Sequence, residues 1–418
     1  MGCHEEGERR NLMAMLFQKK TLLSRNGSFT SNLVFQESIK FVLKITKIVR
    51  KRLLFYFLVF QLVDLPVQTV QAREQAFEID YTEIEAVLEG IGANEFGSFE
   101  ELVLRLLRGD YSMAELKEYL FDKGMGFWKE ERTQLIRLFT IAIAAAVFTN
   151  FTKSLKQGQA AETGFFISYM LIAIGMLSIF TASKTVAELV LGQILSFMRV
   201  LLPAYCVGIA FTTGSMSATA FYEGSLLAVT AAEMLMQHII LPLIHLYFLL
   251  SLVTYMVKED FLSRCAGFCS QAAAFLMKTM VAFVIGIGTI QGMLTPAADE
   301  LKRSAFMKTA GALPGVGNLL TGVTQTVLSA GVLLRNTVGI AGAIFLVFIA
   351  VFPLLRLGLL AVLYYAGAAL LQPVSDKRML ACFTAAGRTH VLLVQMVFYT
   401  VLLFLLTILL VAAALGLT

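Results

Sequence analysis

The sequence predicts an all-α polytopic membrane protein with roughly six to nine transmembrane or re-entrant helices. Two observations carry this prediction: hydrophobic residues make up 57% of the 418 residues, and charged residues only 15%. A soluble protein needs about 25% charged residues to cover its surface. With 7 Pro and 31 Gly in the chain, disordered and collagen-like proteins are excluded as well.

Charge divides the chain into three zones. Residues 1–52 carry 11 basic and 4 acidic residues, and residues 73–133 carry 7 basic and 15 acidic residues. The remaining residues carry 16 basic and 10 acidic residues. This distribution predicts a basic leader, an acidic solvated domain over 73–133 and a membrane domain over 134–418. A nucleic-acid partner is excluded because phosphate would repel the acidic domain.

Residues 44–72 have the three parts of a signal peptide. A basic start precedes the apolar run Leu53–Val63, and Val70–Gln71–Ala72 forms a small-residue cleavage site. The apolar run is too short to span a membrane comfortably. We expect cleavage after Ala72, with an uncleaved anchor as the alternative. Residues 1–43 form an extension without a core pattern, which we interpret as a mis-called start.

The acidic domain is predicted to form three short helices within 80–124, outside the cytoplasm. Each helix start carries a capping box, in which two side chains satisfy free backbone N–H groups. The pairs are Thr82 with Glu85, Ser98 with Glu101, and Ser112 with Glu115. Glycines follow where these helices should end: Gly90, Gly109 and Gly124. Such short helices must pack on one another, on the membrane or on a partner.

The membrane domain contains a series of apolar segments, most of them close to the length of a bilayer span. They cover 136–152, 165–183, 186–211, 226–257, 276–294, 337–355, 357–371 and 390–415. Residues 314–334 are rich in Gly and Thr and are predicted to be re-entrant or interior. If 136–152 enters the cytoplasm, Lys153 and Lys156 lie inside, as the positive-inside rule requires.

Prolines suggest an internal repeat. Pro242 and Pro353 interrupt two long apolar stretches and lie 111 residues apart, as do Pro203 and Pro314. Two repeats, 186–296 and 297–407, would each hold a helix broken by proline, which is how many transporters build sites at the membrane midplane. The alternative is coincidence among seven prolines.

Several ionisable residues lie inside apolar surroundings and are candidate pathway positions. Burial of a charge in a membrane costs several kcal/mol unless it is paired, so such residues face the bundle interior or a wet cavity. The alternatives for each are a pathway-lining role and structural pairing or snorkelling. With the two helix-breaking prolines, the candidates are Glu188, Arg199, Pro242, His245, Arg335, Pro353 and Arg356.

No motif for catalysis, cofactor binding or metal binding stands out. The glycine-rich stretches 286–292 and 311–317 lack the Lys-Ser/Thr of a phosphate-binding loop. Cys265 and Cys269 lie one helical turn apart without a third ligand nearby. The sequence therefore predicts a protein that is not an enzyme and holds neither cofactor nor metal.

The most specific pattern covers 308–376. Residues 308–317 read KTAGALPGVG, and residues 323–342 read VTQTVLSAGVLLRNTVGIAG. Phe352-Pro353 and Leu371-Gln372-Pro373 with Asp376 follow. The chain resembles the stage III sporulation protein AE family over roughly residues 75–418. This resemblance implies a membrane-embedded platform or channel subunit of the sporulation complex that links mother cell and forespore, needed for late forespore development.

The resemblance also implies partners and a location. The partners are the other stage III sporulation A proteins, including a separate ATPase, and stage II sporulation protein Q across the intermembrane space. The location is the mother-cell membrane around the forespore, in contact with membrane lipid. The family has no established catalytic residues. The alternative function is an autonomous small-molecule transporter built on two repeats with Pro-broken helices.

Overall fold

The computed structural model describes an all-helical chain over residues 81–91, 97–108, 158–212, 215–256, 262–310, 317–372 and 375–416, with four isolated helical positions between 136 and 147. The helices are α1 (Thr82–Ile91), α2 (Phe99–Arg108), α3 (Gly158–Thr212), α4 (Ser215–Leu235), α5 (Leu241–Met256), α6 (Ser263–Ala310), α7 (Gly317–Leu371) and α8 (Lys377–Gly416). A π-helical turn, Met236–Ile240, joins α4 to α5 without a break. The predicted all-α class is confirmed.

Five helical segments are long and apolar enough to cross a membrane. They are Glu162–Ala210, Ala218–Met256, Ser263–Gly288, Leu334–Leu371 and Lys377–Leu409. Together with the composition, they make the chain a multi-pass membrane protein. The extension 1–43, the signal peptide 44–72 and the box formed by Ser112 and Glu115 lie outside the described residues, as does nearly all of 136–152, so these remain predictions.

Helix boundaries correct the predicted segmentation. The segments 165–183 and 186–211 form one helix, α3, which runs through Pro203. The segments 337–355 and 357–371 form one helix, α7, which runs through Pro353. A proline removes one backbone donor, but packing against neighbouring helices holds the rest of each helix in place.

The helix break predicted at Pro353 is therefore absent. Pro242 is the second residue of α5, directly after the π-helical turn, so the irregularity there is a widened turn. From Gly317 onward, the segment predicted as re-entrant is regular helix. The repeat remains a prediction, because Pro314 lies outside the described residues.

The helices α1 and α2 are joined at their starts by hydrogen bonds. Ser98 caps α2, since its Oγ accepts the Glu101 backbone N–H at 3.0 Å, as the second capping box predicts. The structure starts α1 at Thr82, and the Tyr81 carbonyl accepts the Glu85 N–H at 2.9 Å, so the first box remains a prediction. The Glu85 carboxylate instead accepts the Glu100 backbone N–H at 3.0 Å.

Both short helices pack against the long ones. Ile84 and Leu88 of α1 are buried, and the Phe99 ring of α2 lies 5.6 Å from the Phe345 ring of α7 and 6.5 Å from the Phe197 ring of α3. This agrees with the expectation that helices of this length need a packing surface. We name α1 and α2 together the α1–α2 pair.

The two 55-residue helices, α3 and α7, meet along an antiparallel seam of small residues. A Cβ on Gly208 would lie 2.9 Å from the Cα of Arg335, and one on Gly339 would lie 3.0 Å from the Tyr205 ring. Glycine lets helix backbones approach this closely. Helix α8 joins the seam where the Tyr205 hydroxyl donates to the Ile408 carbonyl at 3.2 Å.

Gly208→Ala should lower the free energy of unfolding by about 1–3 kcal/mol, the usual cost of overpacking. The new Cβ would meet the backbone of Arg335, which cannot rotate away. The control is Gly192→Ala on the same helix, where nothing lies within 4 Å and alanine should be neutral or stabilising. Thermal unfolding in detergent measures both variants, and equal melting temperatures would contradict the seam.

Candidate functional site

The seven candidate residues fall into two groups along the bundle. Contacts between side chains of different helices define one level of the bundle. The rings of Phe180 and His245 lie 5.4 Å apart there, and those of Tyr364 and His390 lie 5.0 Å apart. Ser183 of α3 contacts His390 of α8 at 3.0 Å. Five candidates lie within a few helical turns of this level: Glu188, Pro242, His245, Pro353 and Arg356. Arg335 is 21 residues before Arg356, about 30 Å away at the helical rise.

Two of the candidate charges are paired and partly exposed. Glu188 Oε1 lies 3.1 Å from Lys184 Nζ, one turn earlier on α3. Arg199 of α3 donates to the Glu233 carboxylate of α4. This ion pair joins α3 to α4. Structural pairing thus accounts for both charges, and a pathway-lining role remains a prediction.

Arg335 is the deeply buried charge among the candidates. It is 3% exposed, and its Nε and Nη2 reach Asn336 Oδ1 at 3.4 and 3.3 Å. Its Nη1 is buried without a hydrogen-bond partner. An unpaired donor in this position costs free energy. The side chain faces the bundle interior, as expected for a charge in an apolar segment.

The structure adds a polar network that sequence reasoning missed. His390 and Ser183 lie 207 positions apart and are both buried. His390 Nδ1 lies 2.9 Å from the Ala386 carbonyl, and the Ser183 hydroxyl lies 2.9 Å from the Ile179 carbonyl. The Tyr364 hydroxyl beside them is buried without a partner. One signal in the sequence could have found it: His390 begins an apolar stretch, by the criterion that selected His245.

The hydrogen bonds of this network determine where its protons lie. A carbonyl only accepts, so His390 Nδ1 carries a proton for Ala386. With a neutral ring, the single Ser183 proton must serve two acceptors, Nε2 and the Ile179 carbonyl. With Ser183 donating to Nε2, both ring nitrogens of the neutral histidine have a hydrogen-bond partner.

No metal centre is formed by the part of the chain that the structure describes. Within these ranges, no group of three or more His, Cys, Asp and Glu side chains lies close enough to hold an ion. Cys269 is buried and Cys265 exposed on α6, which places their thiols in different surroundings.

Comparison with known proteins gives one consistent result. The family model described as stage III sporulation protein AE matches residues 97–415. A protein named stage III sporulation protein AE from Bacillus subtilis (strain 168) is 27% identical over 294 residues, which is 69% of this chain and 73% of the relative. No solved structure matches the chain.

Ser183→Ala should lower the free energy of unfolding by about 1–3 kcal/mol, because it leaves the buried Nε2 of His390 without a partner. In the double variant with His390→Leu, the loss of unfolding free energy should be smaller than the sum of the two single losses by about 0.5–3 kcal/mol, as for residues in contact. Ser178→Ala is the control, since Ser178 is exposed on the same helix. Unfolding of the four variants in detergent measures the coupling, and strictly additive costs would show that the two side chains do not interact.

Proposed function

The chain belongs to the stage III sporulation protein AE family, and from this premise we propose that it is a membrane-embedded platform or channel subunit of the stage III sporulation complex. In this role it links mother cell and forespore and is needed for late forespore development. One observation carries the platform role: the α1–α2 pair, rich in carboxylates, is fastened to the membrane bundle and presents its acidic side to solvent.

The attachment of the α1–α2 pair makes this acidic surface rigid. Phe99 is fully buried between α3 and α7, and Glu85 ties the two helices together. Burial, reinforced by the charge of Glu100, also raises the pKa of Tyr81 at the start of α1 to about 12. A surface held in place loses little conformational freedom when a partner binds. The outward residues are Glu83, Glu89, Glu100 and Glu101.

The proposed setting follows from the family. We place the protein in the mother-cell membrane around the forespore, with the α1–α2 pair outside the cytoplasm. Its proposed partners are the other stage III sporulation A proteins, including a separate ATPase, and stage II sporulation protein Q across the intermembrane space. The role is not enzymatic.

A second candidate function is an autonomous small-molecule transporter. The buried network of Ser183, Tyr364 and His390 supports it, because polar and ionisable groups inside membrane bundles mark substrate and proton pathways. The π-helical turn close to this level adds support, since such turns occur at functional sites. A transporter would lose flux without losing its assembly.

Reversing the charge of the acidic surface should disrupt assembly. We expect the tagged chain, purified in mild detergent from sporulating cells, to come out in a large particle with other stage III sporulation proteins. The triple change Glu83→Lys, Glu89→Lys and Glu100→Lys should reduce the recovered partners by about tenfold or more, the equivalent of 1.4 kcal/mol in affinity. The matched Glu→Gln triple should fall between this variant and the unchanged chain. Recovery as a lone monomer or dimer would contradict the platform.

His390→Gln separates the two functions, with assembly and forespore development read independently. For a platform, every variant that assembles should support development. A variant that assembles fully and still blocks development would favour the transporter. If every inactive variant is also unassembled, the transporter is wrong.

A further inference from the structure

The long helices exceed what one bilayer can contain. At 1.5 Å per residue, the 55 residues of α3 span about 80 Å. The hydrocarbon core is about 30 Å thick, and even a helix tilted by about 40° needs only about 40 Å to cross it. Roughly half of α3 must therefore lie outside the hydrocarbon, and the same holds for α7.

One half of the bundle carries exposed apolar side chains on several helices, and we name this surface the apolar band. On α3 it extends from Phe166 to Leu177, on α5 from Leu246 to Val253, and on α7 from Leu355 to Leu370. These segments lie at one level of the bundle. The Tyr169 hydroxyl donates to the Leu252 carbonyl at 2.6 Å, and the contact from Ser183 through His390 to Tyr364 joins α3 to α7.

Charged side chains border the apolar band on both sides. At one border, the Arg378 guanidinium lies 3.6 Å from the centre of the Phe165 ring. At the other border are Lys184, Glu188, His238, Arg356 and Arg388, which we name the polar belt. From Phe165 to Lys184, α3 rises by about 28 Å, which matches one hydrocarbon core. Long basic side chains at such borders reach into the headgroup region.

Beyond the polar belt the outward surface is mixed: polar and charged residues stand among exposed apolar ones such as Leu189, Met234 and Phe283. On α3 the exposed residues include Ser196 and Arg199, and on α4 they include Thr219, Glu223 and Thr230. The very apolar stretch 338–352 of α7 contains no exposed residue, because α3 and α8 cover it and Phe99 of α2 packs on it. Burial inside the protein therefore accounts for the high hydropathy of residues 338–352, and no contact with lipid is needed to explain it.

Placing the bilayer around this second half instead would be costly. Phe99 packs on Phe345, so the carboxylates of the α1–α2 pair would lie at hydrocarbon depth. The Arg199–Glu233 pair and Glu223 would lie there too. Each charge at that depth costs about 2.5 kcal/mol or more, whereas the apolar band exposes hardly any charge between its borders on α3, α5 and α7.

We propose that lipid acyl chains surround only the apolar band, and that the bundle beyond the polar belt projects from the membrane on one side. This projection consists of α3 after Lys184, α4, α6 after Ser270, α7 before Pro353, α8 after His390 and the α1–α2 pair. It extends about 40 Å, the rise of the 28 residues from Lys184 to Thr212. Glu188 and Arg356 are then anchors at the membrane surface, and Arg335 is buried in protein on the water side. The inference does not depend on the proposed function.

The first test compares thiol reactivity in vesicles of phosphatidylcholine and phosphatidylglycerol. The five native cysteines are replaced by alanine, and single cysteines are placed at Ile174 and Leu249 in the apolar band and at Ser196 and Thr230 in the projection. All four positions are exposed in the structure. N-Ethylmaleimide should modify Ser196→Cys and Thr230→Cys at least about tenfold faster, because a thiol in apolar surroundings does not ionise.

Denaturation in SDS is the control for this comparison, and all four cysteines should then react alike. Equal rates in the folded protein, or faster reaction in the apolar band, would overturn the proposal. Both pairs are matched, since Ile174 and Ser196 share α3, and Thr230 and Leu249 share the continuous helix 215–256.

A second measurement tests whether lipid acyl chains cover the apolar band. In a Trp128→Phe background without other tryptophan, Ile174→Trp should lose its fluorescence in vesicles whose lipids carry brominated chains. Thr230→Trp should keep its fluorescence in the same vesicles. Quenching of Thr230→Trp, or none of Ile174→Trp, would place the bilayer elsewhere and overturn the proposal.

Discussion

Close packing between α3 and α7 is the contact on which the other helices depend. Gly208 and Gly339 let two long backbones approach, and the surface that results is wide enough for α8 on one side and Phe99 of α2 on another. Van der Waals packing must supply this stability, because lipid gives apolar helices little reason to associate. The same seam encloses Arg335, whose charge the surrounding protein keeps away from both lipid and water.

Polar groups are distributed by a common rule in this molecule. Several charged side chains that reach water are paired, as Lys184 is with Glu188 and Arg199 with Glu233. Groups that cannot reach water, such as Ser183 and His390, use helix carbonyls and one another. The buried network therefore stabilises the contact between α3 and α8.

The sequence predicts the class of this fold better than it predicts where each helix begins and ends. Composition alone requires a membrane bundle, and the capping pattern at Ser98 locates the start of α2. The break predicted at Pro353 fails because a proline removes only one backbone donor, and the neighbouring helices hold the rest of α7 in place. Hydropathy also does not show whether an apolar stretch such as 338–352 is covered by lipid or by protein. The contact of Ser183 with His390 could not be predicted, since it depends on the register of helices 207 residues apart. Pairing of Arg199 with Glu233 has the same origin.

The π-helical turn Met236–Ile240 adds one residue to the continuous helix that α4 and α5 form. It holds one residue more than an α-helical turn, yet the outward positions continue along one face from Thr230 before it to Leu249 after it. Loss of that residue would restore a uniform helix and rotate α5 by about 100° against α4. Phe248 would then leave its place beside Phe180. A one-residue deletion in this turn would therefore change the packing of α5 and not only shorten the helix.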